Sequence, residues 1–282
     1  MKTQTMALPF IKMQGIGNDF ILIDDLGKPA ALMSPITKEL AQKICDRRFG
    51  VGADQILWLK SPQDPTADAR MEILNADGSI AEMCGNGIRA VGVYLYREGP
   101  KRKDTYLIET LAGMKKLDLS PEAASVTVDM GKPQLGSGFA EGGERLPLPG
   151  HSLAEARFFE VNVGNPHAVI FVDDVTTFPV AEIGAAIELH PRFPHRTNVE
   201  FVQVKGPHEI QVRVWERGAG ITLACGTGAC ASAVAAIACQ YVNEDITVHL
   251  PGGDLNINWE GLGKSVLLKG PAEIVFRGEY FF

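Results

Sequence analysis

Apolar and polar positions alternate over short runs through most of the chain, a pattern that predicts strands. Ile21–Asp24, Gln55–Leu59, Met71–Leu74, Ser125–Met130, His167–Val172, Asn198–Val204 and Ile210–Trp215 all carry it, and in the last Ile210, Val212 and Val214 share one face. Pro251-Gly252-Gly253 reads as the turn of a hairpin joining Asp245–Leu250 to Leu255–Trp259. Three segments switch to a helical period. Thr37 can cap one that runs to Phe49, with Leu40, Ala41, Ile44 and Cys45 inward and Gly50 ending it. A second starts near Asn86 and stops at Gly99-Pro100, and a third runs from about Thr227 to before Glu244. That third helix is apolar and small on every side, so it must be enclosed, and strands wrapped around it would do so. Cys230 and Cys239 fall within it, where packing accounts for them; Cys45 is read the same way.

Between Gly131 and Gly150 glycine and proline recur often enough to mark a connector or an elaborated loop. The two halves it separates repeat each other. Met83-Cys84-Gly85-Asn86-Gly87 returns as Ala224-Cys225-Gly226-Thr227-Gly228, and Gly17-Asn18-Asp19 as Gly164-Asn165-Pro166. Between them Gln55 corresponds to Asn198 and Asn75 to Glu216. The successive spacings are 37, 20 and 9 residues in the first half against 33, 18 and 9 in the second. Four polar anchors in one order at nearly equal spacing point to duplication. The expected fold is therefore α+β, two pseudo-symmetric domains, each a curved mixed sheet or barrel around a central helix. The expected halves are residues 1–130 and 131–270. Equivalent elements should face each other across the cleft between them, so Cys84 should face Cys225.

Composition narrows the function classes. The chain has 282 residues, a formal net charge of -7 and no basic stripe, which disfavours nucleic acid as a partner. Lys101-Arg102-Lys103 beside Gly99-Pro100 reads as a solvated turn. The longest uncharged run, Leu223–Asn243, is interrupted by Cys225-Gly226-Thr227-Gly228, Ser232 and Gln240, so its apolar part is too short to span a membrane. Met1–Phe10 lacks the apolar core of a secretory signal. Five cysteines without zinc-ribbon spacing fit a reducing cytoplasm.

The paired cysteines carry the chemistry. Inverting a carbon α to a carboxylate needs a base on one face and an acid on the other. One thiolate and one thiol supply both and exchange roles with direction. Each cysteine precedes a Gly-x-Gly turn opening a helix, where N–H groups converge on an anion and the helix terminus should lower the thiol pKa. Full ionisation of a thiol that is already a few per cent ionised gains roughly 2 kcal/mol. One donor on a developing oxyanion is worth ~2.7–4 kcal/mol. The glycine turns should therefore matter as much as the sulfurs. No lysine suggests a Schiff base, and His167, His190 and His195 lack helical ligand spacing, so neither cofactor nor metal is expected.

The motifs Gly15-Ile16-Gly17-Asn18-Asp19-Phe20, Ala53-Asp54-Gln55, Asn75-Ala76-Asp77-Gly78, Met83 to Arg89, Gly164-Asn165-Pro166-His167, Trp215-Glu216-Arg217-Gly218 and Ala224 to Ala229 resemble diaminopimelate epimerases. The likeness runs from Lys12 to Gly278. It implies conversion of LL-2,6-diaminopimelate to the meso form, in lysine and peptidoglycan precursor synthesis, by a cytoplasmic homodimer without a cofactor. It also implies a last strand, within 271–282, that returns to the first domain. By motif, Cys84 and Cys225 are the acid/base pair, and Gly85, Asn86, Gly226 and Thr227 surround the reacting carboxylate. Asn18, Gln55, Asn75, Asn165, Asn198, Glu216 and Arg217 become substrate contacts, and His167 and Glu216 tune the thiols.

Three rivals are separable. A proline or hydroxyproline racemase on the same plan would have little use for Arg217 and several distal amides. A dinucleotide-binding oxidoreductase would use Gly85-Asn86-Gly87-Ile88-Arg89-Ala90 or its repeat as G-x-G-x-x-A, but needs the glycines directly after a strand. A thiol redox or metal module would need a disulfide or a further soft ligand.

Overall fold

The computed structural model describes residues 7–29, 31, 34, 36–121 and 124–282; residues 1–6, on which the reading of the N-terminal segment partly rests, lie outside them. The chain divides into two compact units, Met1–Val128 with Pro271–Phe282, and Asp129–Gly270.

The first unit holds β1 (Ala7–Gly15), β2 (Asn18–Asp25), α1 (Lys38–Cys45), β3 (Gln55–Lys60), β4 (Ala69–Asn75), β5 (Ile80–Ala81), α2 (Gly85–Glu98), β6 (Thr105–Thr110), β7 (Gly113–Leu119) and the start of β8 (Val126–Gly131). Pairing runs antiparallel from β1 to β2, parallel from β2 to β3, antiparallel to β4, parallel from β4 to β6, then antiparallel through β7 to β8. The short β5 adds to β4.

The second unit holds β9 (Gln134–Leu135), β10 (Glu144–Pro147), β11 (Glu155–Asn162), β12 (Pro166–Phe171), α3 (Val180–Glu188), β13 (Asn198–Gly206), β14 (Glu209–Glu216), β15 (Gly220–Thr222), α4 (Gly226–Ala238), β16 (Asp245–Leu250), β17 (Gly253–Asn258) and β18 (Val266–Gly270). Its pairings from β11 to β18 repeat the sequence of the first unit: antiparallel, parallel, antiparallel, parallel, antiparallel, antiparallel. The final strand, β19 (Glu273–Phe281), pairs antiparallel with β1. Within each unit the bonded order has two ends, so the sheets are open and mixed rather than closed barrels.

Both faces are covered at the central parallel strands, which is why β2, β12 and the start of β13 read as nearly continuous apolar runs. In the first unit Ile21, Ile23 and Ile56 pack on Leu40, Ala41 and Ile44 of α1. Leu57 points the other way and lies against Gly87 of α2. In the second, Val199 and Phe201 pack on Ile183 and Ile187 of α3, and α4 lies against β11 to β14 and β16 to β18. Every residue of α4 from Gly226 to Ala236 is buried, as its apolar circumference requires.

Several boundaries differ from the sequence pattern. Thr37 does cap α1, its hydroxyl accepting from the Leu40 N–H, but the helix ends at Cys45. Asp46 stops it: one carboxylate oxygen accepts from both Arg48 and Phe49 N–H at 2.7 Å and turns the chain. Helix α4 ends at Ala238, leaving Cys239 half-buried at its cap. Gln240 there is left-handed (φ 59°) and the Tyr241 N–H reaches back to the Ala236 oxygen, a Schellman closure made without glycine. The glycine-rich connector contains β9, β10 and a 3-10 turn over Ser137–Glu141.

Candidate active site

Cys84 and Cys225 are both helix caps. Each precedes its helix in extended backbone, at φ -139°, ψ 111° for Cys84 and φ -128°, ψ 113° for Cys225. Each Sγ accepts a 3.3 Å hydrogen bond from the N–H three residues on, that of Gly87 or of Gly228. A sulfur thus stands where a hydroxyl or carboxylate usually caps, at the positive end of the helix dipole. Space is tight at the third position of each helix. A Cβ on Gly87 would lie 2.8 Å from Leu57 Cδ2, and one on Gly228 would lie 2.8 Å from Glu200 Oε1.

Both units place an asparagine at the turn before a strand, in contact with the sulfur itself in the first unit and with Thr227 beside the sulfur in the second. Gly17 (φ 87°) and Gly164 (φ 109°) hold left-handed backbone ahead of Asn18 and Asn165. In the first unit Asn18 Nδ2 donates to Asp54 Oδ2 at 2.7 Å. Its Oδ1 is thereby turned toward Cys84 Sγ (3.6 Å) and the Asn86 amide (3.2 Å). Asp54 and Asp19 are gripped by Arg47, and Lys12 also donates to Asp19. Burial would raise the Asp19 pKa, but the hydrogen bonds from Arg47 and Lys12 outweigh it and hold the carboxyl at about 2. Gln55 and Asn75 form a second group: Gln55 Nε2 donates to Asn75 Oδ1 at 2.8 Å, and Gln55 Oε1 is buried without a hydrogen-bond partner. Gly85 opens α2, its carbonyl accepting from Arg89.

The second unit assembles a longer chain of contacts. Thr227 Oγ1 lies 3.5 Å from Cys225 Sγ and accepts from Asn165 Nδ2 at 3.3 Å. His167 Nε2 lies 2.9 Å from Asn165 Oδ1, and His167 Nδ1 lies 2.7 Å from Glu200 Oε1. Both members of the His167–Glu200 pair are fully buried. Glu216 accepts from the Thr222 hydroxyl, and burial raises its pKa against hydrogen bonds from Thr222 and Cys225. Asn198 Nδ2 donates to the Pro166 oxygen while its Oδ1 accepts from the Arg217 N–H, so it braces the loop carrying that exposed arginine. Gly226 is the first residue of α4.

One expectation is reversed at Cys225. A helix terminus alone would lower its pKa. Burial instead pushes the thiol well above the ordinary value, the Glu216 and Glu200 carboxylates add to this, and the Thr227 and Gly228 hydrogen bonds only partly oppose it. Sequence reasoning misses Glu200 because it sits inside the apolar run Asn198–Val202. The signal that could have found it is the alternation: Glu200 shares a sheet face with Asn198.

The dinucleotide reading fails on topology. β5 stands between β4 and α2, and β15 between β14 and α4, so neither Gly-x-Gly follows the preceding long strand directly. Among the described residues no cluster of three or more His, Cys, Asp or Glu side chains could hold a metal ion, and no helix is long and apolar enough to cross a membrane.

The sequence model of the diaminopimelate epimerase family matches residues 10–136 and 159–275. The chain belongs to the diaminopimelate epimerase family. A diaminopimelate epimerase of Desulfitobacterium hafniense is 49% identical, with 96% of this chain and 97% of that protein aligned. One from Carboxydothermus hydrogenoformans is 48% identical over 97% of this chain and its own full length. As a member of this epimerase family the chain is an isomerase. The fold is shared more widely. A hydroxyproline epimerase structure from Agrobacterium vitis superposes with a TM-score of 0.75 at 16% identity, covering 98% of this chain and 93% of that one. A PhzF-family phenazine biosynthesis protein from Bacillus anthracis gives 0.72 at 15% identity, covering 98% and 100%.

Proposed function

We propose that this chain interconverts LL- and meso-2,6-diaminopimelate by a two-base mechanism in which Cys84 and Cys225 act on opposite faces of one α-carbon. The observation that carries the reading is the matched pair of sulfur-capped helices, each with its Sγ 3.3 Å from a first-turn N–H. One sulfur, as thiolate, removes the α-proton and becomes a thiol. The electron pair left behind spreads into the substrate carboxylate, where first-turn N–H groups beginning at Gly85-Asn86 and Gly226-Thr227 stabilise it. The other sulfur, as thiol, delivers its own proton to the opposite face and becomes the thiolate.

Asn18, Gln55, Asn75, Asn165, Asn198, Glu216 and Arg217 are proposed to hold the substrate, several of them at its distal amino-acid end. A distal ammonium needs acceptors such as the unpartnered Gln55 Oε1, and a distal carboxylate suits a guanidinium. His167 and Glu216 are proposed to tune the thiols. No cofactor enters this scheme. A cytoplasmic homodimer working in lysine and peptidoglycan precursor synthesis completes the proposal, supported by the family's name and by thiols that need a reducing compartment.

The test is a coupled assay with LL-diaminopimelate on Cys84→Ala and Cys225→Ala. Each variant is expected to fold and to lose epimerisation. Appreciable turnover by either would overturn the two-base scheme, and turnover of proline or hydroxyproline instead would move the substrate assignment.

A further inference from the structure

The two sulfur caps are alike, but what lies beneath them is not. Counting two residues on from the anchors, His167 in the second unit corresponds to Phe20 in the first, and Glu200 to Leu57. The strand register agrees: Phe20 pairs with Gln55 where His167 pairs with Asn198. The second unit therefore buries an ionisable pair where the first buries a phenyl ring and an isobutyl group.

Hydrogen-bond direction follows from which atoms can donate. Glu200 Oε1 lies 2.7 Å from His167 Nδ1 and Asn165 Oδ1 lies 2.9 Å from His167 Nε2, so each ring nitrogen faces a carboxylate or amide oxygen. That is the hydrogen-bonding pattern of an imidazolium. Asn165 then presents its NH2 to Thr227 Oγ1, which takes that proton on a lone pair and keeps its own hydroxyl proton free to point at Cys225 Sγ. Were the ring neutral at Nε2, the amide would turn over, the Thr227 hydroxyl would donate to Asn165, and Thr227 would offer Cys225 only a lone pair, leaving the Gly228 N–H as the donor to the sulfur. A thiol suits that arrangement and a thiolate does not.

We infer that Glu200 is a positioning residue of the epimerase: it keeps His167 doubly protonated and so, through Asn165 and Thr227, lets Cys225 exist as a thiolate inside a buried site. The charged groups around the ring require such a device. Glu200 faces it from β13 and Glu216 lies nearby on β14; both carboxylates, with burial, oppose ionisation of Cys225 at the head of α4. One buried cation offsets one of them, and the relay aims the hydrogen bond. The inference rests on the proposed role of Cys225.

The test reads the ring directly. Ring-nitrogen NMR of 15N-histidine-labelled protein near neutral pH, with His167 assigned by its loss in His167→Gln, is expected to show both nitrogens protonated. Glu200→Gln is expected to leave one nitrogen unprotonated and to lower kcat roughly tenfold or more, with KM within about threefold. A singly protonated His167 in the unaltered protein overturns the inference, as does a doubly protonated ring in Glu200→Gln. If Glu200→Gln does not fold, the unaltered protein's spectrum still decides. Activity in Cys225→Ala would instead defeat the two-thiol reading, and the ring spectrum does not depend on it.

Discussion

Leu57 and Glu200 occupy the same place in the two units. Each lies two residues into the strand that pairs in parallel with its predecessor, and each comes within 2.8 Å of where a Cβ on the helix's third-residue glycine would stand. In one unit the neighbour is the end of a flexible apolar side chain. In the other it is a buried carboxylate held by His167. The duplicated scaffold is symmetric in its backbone and asymmetric in its chemistry.

The two glycines should therefore respond differently to a methyl group. Leu57 can rotate away from the Cβ of Gly87→Ala, whereas Glu200 cannot leave its partner without exposing a buried charge. Gly228→Ala is expected to reduce kcat more than Gly87→Ala, by roughly tenfold or more. Steady-state kinetics on both variants, with circular dichroism to confirm folding, would check this; equal losses would count against it.

Much of this arrangement is legible in the sequence, and the rest is hidden for definable reasons. The repeat of Asn18, Gln55, Asn75 and Cys84 as Asn165, Asn198, Glu216 and Cys225 can be read because polar anchors keep their spacing when apolar residues drift. Strand β7 is hard to see because Lys115 takes an inward position and breaks the alternation of apolar and polar residues that would flag it. Helix α3 is hard to see because no side chain caps it at Pro179. Glu200 escapes notice because both faces of β13 are buried over Asn198–Val202, so apolar neighbours surround it and only its place two residues after Asn198 sets it apart.

Glu188 links α3 to the loop that carries Arg217. It is buried and accepts from Trp215 Nε1 at 2.7 Å, the Gly218 N–H at 3.0 Å and Arg196 at 3.3 Å. Glu188→Ala leaves the indole and the amide without their acceptor, at about 1–3 kcal/mol of stability. Chemical denaturation should show that loss. KM should rise more than kcat falls, because the displaced group binds rather than reacts.

Acid stability should depend on Asp19. Despite burial, the hydrogen bonds from Arg47 and Lys12 hold its folded pKa at about 2, below the ordinary 3.8. The group therefore contributes at most about 2 kcal/mol, less whatever solvent screens. That contribution is complete above the unfolded pKa and is lost as pH falls through the folded one. Asp19→Asn should be less stable than the parent near neutral pH, and the gap should close between about pH 4 and pH 2. Urea denaturation across that range would show it; a gap that persists at the acid end would assign the stability to another cause.

The identity of the proton's destination tests the two-thiol account most directly. When LL-diaminopimelate is turned over in deuterated water and sampled early, the account predicts deuterium at one α-carbon of the meso product and none in the recovered substrate. The thiol that removes the proton is not the one that delivers its replacement. Deuterium appearing in the recovered substrate as fast as in the product would mean a single base serving both faces, and would contradict it.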